Sequence, residues 1–378
     1  MIACPLSAKL GHVAKSKILQ HSFPPGLKNI YDEEFANQLA STHGAVGSLK
    51  QTPRLLANPN LLMRPILSKE AESSSQLEGT QASVEDVFKL DVVDQSKEKR
   101  LEALEVHNYE LAMKVGLERI KNYPLDNFLI RDLHKVLMGG VRGAKKNPGK
   151  FRTKDVWIGQ RGTEKGDARY IPPDPIHVPN LMEKLGKFIS NHGTMNVLTA
   201  AGIIHHRFEA IHPFEDGNGR VGRLLITLFL VKEKLLEMPI LYPSGYFEKH
   251  KRLYMSALSK VDKKEDWRAW LMFFLRGLEA QAGVASSLSE KIDELFKKSK
   301  VKIESERSSL SLIKVLETTF SQPYLTASSL SRLTGIPRTT CIRYLGQLAT
   351  KLIINEKGFR GQQRVYANDK LINILRKI

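Results

Sequence analysis

Cysteine is almost missing from this chain. Only Cys4 and Cys341 occur in 378 residues, far apart, so no disulfide framework is implied and a reducing compartment is the natural setting. Long apolar runs are missing too: Leu224 to Val231 is the longest of note, far too short to span a bilayer, and no membrane partner is expected. The N-terminus lacks the basic, apolar and small-residue order of a secretory leader, which points to a cytoplasmic protein. There is no His-Glu-x-x-His zinc motif. His205, Glu209 and His212 do lie at i, i+4 and i+7, but Pro213 would disturb the helix at the third ligand. A P-loop is excluded as well, because Gly143 to Lys150 has the wrong spacing and Phe151 stands where Ser or Thr is required.

What remains is a chain with enough apolar residues, 42%, for real cores, and long enough for two or three domains. Its net charge is +18, compatible with nucleic acid, an acidic partner or solubility alone. From Ser286 onward 17 Lys and Arg face 8 Asp and Glu, so half of the excess sits in the last quarter.

The most informative stretch runs from His212 to Arg223. Ile203, Ile204, Phe208 and Ile211 recur at helical spacing before it, and Pro213 ends that helix. Val221 to Glu237 is apolar enough to be a buried helix after it. Between them Gly217, Asn218 and Gly219 can adopt backbone angles that turn successive amide hydrogens into one concavity at a helix start, an anion site. Arg220 and Arg223 share a helical face beside it, with guanidinium groups suited to phosphate oxygens. Asp216 can hold a divalent cation against the same phosphates. His212 is the one group here able to take a proton near neutral pH.

These residues match in full the signature His-Pro-Phe-x-Asp/Glu-Gly-Asn-Gly-Arg-x-x-Arg, and the chain resembles the Fic family of protein adenylyltransferases. The resemblance implies a mainly α fold, a Fic helical core with a small β-hairpin flap, and transfer of AMP from ATP to a protein hydroxyl. It implies His212 as general base, Asp216 as Mg²⁺ ligand, and Asn218 with the Gly217 and Gly219 amides as cradle for the α-phosphate. Arg220 and Arg223 would grip the β- and γ-phosphates, and Phe214 would anchor the loop in the core. Tyr246, one of several aromatic residues between Tyr242 and Tyr254, would lie near the adenine.

Upstream, the spacing predicts helices over Glu33 to Ala40 and Asn60 to Glu78, with Gly79 as the stop of the second. Ser74 and Glu78 lie at i and i+4 on that helix and resemble the family's inhibitory motif, Ser/Thr-x-x-x-Glu-Gly/Asn. In that likeness Glu78 pairs with Arg223 where the ATP γ-phosphate would bind. Amphipathic helices follow over Leu101 to Ile120 and after the N-cap Asp126, and another after Pro179. Phe151 to Gly159 and Arg169 to Pro172 read as two short strands. They resemble the family's flap, whose Trp157, Ile158 and Gly159 would dock a target segment by edge pairing.

The domains expected are an N-terminal region with the inhibitory helix (1–95), a catalytic core (96–285), a charged linker (286–307) and a tail domain (308–378). The first 26 residues carry no clear period. In the tail, helices over Leu312 to Phe320, Ala327 to Leu333 and Pro337 to about Lys351 precede strands over Leu352 to Asn355 and Arg364 to Ala367, an order that looks like a winged helix-turn-helix. On DNA, Arg338, Thr339, Thr340 and Arg343 would face the major groove, and Lys357, Arg360 and Arg364 the phosphates. The function expected is a protein adenylyltransferase acting on a Ser, Thr or Tyr hydroxyl of a target protein, itself included, restrained by Glu78. The alternatives are a hydrolase removing AMP at the same site and a DNA-binding transcriptional regulator with a nucleotide-sensing core. A homodimer is compatible with all three.

Overall fold

The computed structural model describes residues 15–27, 30–55, 58–141, 144–159, 164–304 and 309–377. Cys4, the first 14 residues, Gly162 and Thr163 of the expected turn, and Arg307 lie outside them. Residues 15–26 carry turns and one bridge, Lys15 with Ile171, in keeping with the absence of a period there.

The chain is mostly helical. Helix α1 (Glu33–Leu55) runs well past the expected end at Ala40, through Gly44 and Gly47. Phe35, Val46 and Leu49 on it are buried, and it packs along a 38-residue helix far downstream, α11 (Trp267–Glu304). That burial outweighs the low helix propensity of two glycines. Helix α2 (Asn60–Leu77) ends as expected: Glu78 is its C-cap and Gly79 takes φ +92. A short helix the sequence reading missed, α3 (Val84–Lys89), starts from a capping box of Ser83 and Asp86.

The central group of helices follows. Helix α4 (Lys97–Arg119) packs on α2 and on α5 (Asn127–Leu137), which is capped by Asp126 through Leu129 N at 2.9 Å. Helix α6 (Val178–Ser190) turns Leu181, Leu185, Phe188 and Ile189 inward. It packs on α7 (Val197–Ile211), which packs on α8 (Asn218–Lys232), and both of these are buried almost all round. A helix apolar on every side belongs in the middle of a core. Helices α9 (Ser244–Lys249) and α10 (Lys251–Lys264) complete this part, followed by α11.

Two expectations are corrected here. The flap strands do not form a ladder: Ile158 and Tyr170 make one isolated antiparallel bridge. The stretch 286–304, expected as a charged linker, is the continuation of α11, with Leu288, Ile292 and Phe296 buried.

The tail comprises α12 (Leu310–Ser321), β1 (Tyr324–Leu325), α13 (Ala327–Thr334), α14 (Arg338–Thr350), β2 (Asn355–Arg360), β3 (Gln363–Ala367) and α15 (Asp369–Arg376). Its antiparallel sheet has the order β1-β3-β2, with a bulge between Glu356 and Gly358. Strand β2 begins where the expected range ended, because Leu352 lies in a turn at φ +54.

The tail is fastened to the helix that carries Glu78. Helix α12 packs on α2, where Arg64 donates to the Ser321 carbonyl at 3.1 Å and to Gln322. Gln322 Nε2 donates to the Phe88 carbonyl at 2.8 Å, and the Tyr324 hydroxyl to Glu85 Oε1 at 2.7 Å. No helix among the described residues is long and apolar enough to cross a membrane.

Candidate active site

Helices α7 and α8 are joined by the six residues from His212 to Gly217. Asn196 starts α7 by accepting from Leu198 N at 2.9 Å, and His212 ends it in the left-handed region at φ +51. Gly217, at φ +77, opens α8. A side chain there would meet Met138 Sδ at 2.8 Å, so the position needs glycine for space as well as for angle.

The loop is braced from within. Asn218 is 1% exposed; its Oδ1 accepts from Phe214 N at 2.8 Å and its Nδ2 donates to Phe214 O at 2.9 Å. The Asn218 amide, expected in the α-phosphate cradle, braces the loop backbone with its Oδ1 and one of the two N–H groups of its Nδ2. Phe214 is fully buried and stacks on His134, ring centroids 3.8 Å apart and planes 7° off parallel. It anchors the loop and presents no face to a ligand.

His134 was not singled out by the sequence. Its Nδ1 accepts from Gly149 N at 2.8 Å, which leaves the proton on Nε2, 3.0 Å from the Asp216 carbonyl. Arg152 was missed too: its Nε donates to the His212 carbonyl at 2.8 Å. No local motif marks either residue, since their partners lie 82 and 60 positions away.

Beside the loop, Arg220 and Arg223 are both buried. Arg223 donates from Nε to Ser74 Oγ, from Nη2 to Ser74 O and from Nη2 to Glu78 Oε1, each at 2.8 Å. Helix α2 therefore brings the predicted Ser74 and Glu78 onto the predicted Arg223. The Glu78 carboxylate also lies over the start of α8, where a methyl group on Gly219 would collide with its Oε1. A carboxylate at a helix N-terminus, in a guanidinium's grip, occupies an anion site. Arg220 is less satisfied: among the described residues its Nε and Nη1 find no hydrogen-bond partner, and Glu105 is 3.8 Å away.

Electrostatics follow from this crowding. Burial works against the Glu78 charge, but Arg223 and then Arg220 outweigh it and hold the carboxyl below its usual range. Burial depresses His212 to about 4, against the opposing charge of Glu78, so the ring is neutral and able to accept a proton. Its Nδ1 lies 3.3 Å from the Glu209 carbonyl. The Glu209 carboxyl is pushed up to about 8 by burial, and its Oε1 has no partner among the described residues. His205 bonds the Gly222 carbonyl and the Tyr254 hydroxyl, rather than sharing a centre with Glu209 and His212.

Asp216 faces a cation already: Lys146 Nζ lies 3.0 Å from its Oδ2, while its Oδ1 accepts from Gly217 N at 2.7 Å. A partly exposed carboxylate oxygen is the kind of single protein ligand that Mg²⁺ takes, its other positions being filled by water and phosphate, but Lys146 would have to give way for the ion to bind.

The remaining predicted residues make contacts of their own. Tyr246 packs on His250 and Phe273, ring centroids 4.3 and 5.4 Å away. Trp157 is 42% exposed, next to the single bridge at Ile158, and Gly159 follows it at the edge of the described residues. In the tail, Arg338, Thr339 and Arg343 are exposed and Thr340 is half-buried. The cations of the tail hairpin are paired within the molecule: Lys357 with Asp369 at 2.8 Å, Arg360 with Asp94 at 3.1 Å and Arg364 with Glu356 at 3.2 Å.

Comparison with known proteins finds the same family at both ends of the site. Residues 124–230 match the profile described as Fic/DOC family, and residues 36–118 the profile described as Fic/DOC family N-terminal; together they span half of the chain. Over 118 residues the chain is 35% identical to a protein of Aquifex aeolicus named a probable protein adenylyltransferase, covering 29% of this chain and 34% of that one. Over 172 residues it is 26% identical to the protein adenylyltransferase Fic of Drosophila melanogaster, covering 45% of this chain and 31% of that one. The chain thus spans about a third of the length of these relatives. Among solved structures, a Fic family protein from Desulfovibrio desulfuricans shares the fold over 89% of this chain and 96% of its own, with TM-score 0.56 and 21% identity. A Fic domain containing signaling protein from Bacteroides thetaiotaomicron shares it over 68% of this chain and 97% of its own, with TM-score 0.53 and 19% identity.

Proposed function

The chain belongs to the Fic/DOC family, and on that premise we propose that it is a protein adenylyltransferase that moves AMP from ATP to a Ser, Thr or Tyr hydroxyl, restrained by Glu78. The observation that carries this reading is the Glu78 carboxylate held by buried Arg223 over the N-terminus of α8. The chain's own side chain sits where a phosphate would be stabilised by a guanidinium and a helix start. The names of its relatives point to the same chemistry.

In this mechanism ATP lies with its phosphates along the start of α8. Neutral His212 takes the proton of the target hydroxyl as that oxygen attacks the α-phosphorus. The bond from the α-phosphorus to the bridging oxygen breaks, pyrophosphate leaves, and the target keeps AMP as a phosphoester. Arg220, whose Nε and Nη1 have no hydrogen-bond partner among the described residues, and Arg223 hold the departing charge. Asp216 would hold the Mg²⁺, which when bound neutralises charge on the phosphates. Asn218 and Phe214 keep the loop in shape. Glu78, while paired with Arg223, excludes the phosphate that belongs there.

The test is the intact mass of Glu78→Gly protein incubated with ATP and Mg²⁺, beside wild type and the double variant Glu78→Gly with His212→Ala. The reading requires added AMP on the single variant, or on a target it is given, and none on the double variant. If none of the three transfers AMP, even to a cell lysate, the reading is overturned. If wild type strips AMP from a modified protein and Glu78→Gly does not, the direction is reversed.

A further inference from the structure

We propose that Arg152 is a positioning residue of the transfer step, fixing the backbone of His212 and both roots of the flap in one frame. The proposal rests on the adenylyltransferase reading and adds to it the residue that aligns base and target.

Arg152 is 3% exposed, and among the described residues every acceptor bonded to its guanidinium is a backbone carbonyl. Nε donates to His212 O at 2.8 Å, and Nη2 reaches Ile211 O at 3.4 Å. Those two carbonyls close α7, where a helix leaves acceptors unpaired and carries partial negative charge. Nη2 also donates to Pro173 O at 2.6 Å and Nη1 to Lys154 O at 3.3 Å. The backbone N of Arg152 adds a bond to Pro213 O at 2.8 Å. Lys154 precedes the flap bridge at Ile158 and Pro173 follows it at Tyr170, so one side chain joins both legs of the flap to the base.

Two features show that such a fastening is needed. His212 holds φ +51, a region that a non-glycine residue keeps only when its surroundings over-determine it. Among its described residues the flap has a single bridge of its own, so its place relative to His212 depends on outside contacts. A planar fork of five donors can serve four carbonyls at once; a lysine ammonium cannot reproduce it. The phosphate cradle at Gly217 to Arg223 makes no hydrogen bond to Arg152, so nucleotide binding and alignment of the base are separable.

The experiment places Arg152→Lys and Arg152→Ala in the Glu78→Gly protein. It measures folding by circular dichroism, the ATP dissociation constant, and the initial rate of AMP incorporation. The expected result is a rate lower by about 100-fold, the scale of an ångström's misplacement of a reacting group, with ATP affinity within about twofold of the parent by the same reasoning. Millimolar guanidinium should restore part of the rate in Arg152→Ala, and equal ammonium should not. An unchanged rate in folded Arg152→Lys overturns the proposal. So does a loss of ATP affinity that matches the loss of rate, which would make Arg152 part of the nucleotide cradle, or a failure of both variants to fold. An inactive Glu78→Gly parent instead brings down the adenylyltransferase reading on which the proposal rests.

Discussion

Removing the Glu78 carboxylate is the perturbation whose size the geometry sets most directly. Its Oε1 lies 2.8 Å from Arg223 Nη2, and Arg223 is 2% exposed while the Glu78 side chain keeps 39% of its surface in solvent. A hydrogen bond to a charged group contributes about 1.5–3 kcal/mol. Solvent screening at Glu78 puts this one toward the lower part of that range, about 2 kcal/mol. A difference of about 2 kcal/mol corresponds to roughly 30-fold in an equilibrium, so Glu78→Gly should raise the initial rate of AMP incorporation about 30-fold at fixed ATP. Arg223 stays anchored through Ser74, so its guanidinium remains beside α8 for the phosphate. Glu78→Gln keeps the shape and an acceptor but loses the charge. About 1 kcal/mol separates a charged from a neutral hydrogen bond, and a rise of only about 5-fold is expected for it. Intact mass against time, with ATP affinity measured in parallel, reads both variants. A rise under about twofold in Glu78→Gly that still binds ATP would refute the assignment of Glu78 as the restraint.

Two further outcomes concern the scaffold. Gly217 sits at φ +77 with Met138 Sδ in the way of a side chain, so Gly217→Ala should lose about 1–2 kcal/mol from the left-handed angle alone; scanning calorimetry should find Tm lower by several degrees, and an unchanged Tm would contradict the geometry. Burial depresses His134 and His212 to about 4 and His205 and His206 to about 3, so between those values and 6.5 the folded state binds fewer protons than the unfolded state and stability falls as pH falls. Burial raises Glu70 to about 7 and Glu209 to about 8, which favours acid, but four imidazoles act against two carboxyls. The urea midpoint should therefore be lower at pH 5 than at pH 6.5, and the opposite order would show that the histidines are hydrated.

Much of the site was legible because its signals are local. Pro213 and Gly217 mark the helix boundaries on either side of the loop, Gly79 marks the end of α2, and Ser74, Glu78 and Arg223 could be paired once the signature was seen. The unread part is non-local. Arg152 and His134 act on backbone carbonyls that only the fold brings near, and a carbonyl leaves no trace in sequence. The bracing of the loop by the Asn218 amide could not be read either, because its partners are the backbone groups of Phe214. The full length of α1 and the helical link at 286–304 depend on the packing of α1 along α11 and on burial of Leu288, Ile292 and Phe296.

The fastening of the tail to α2 has a consequence for dosage. A competitor carried on the same chain cannot be diluted, washed out or titrated by its own target; its effective concentration is fixed by how rigidly its helix is held. Helix α2 is held from two sides, by the Ser74 and Glu78 contacts to Arg223 at one end and by the Arg64 contacts to Ser321 and Gln322 nearer the other. On the proposed reading, in which Glu78 competes with ATP, the affinity that ATP must overcome would be set beyond the loop as well as in it, and loosening the grip of α12 on Arg64 would lower that effective concentration without touching a single residue of the loop.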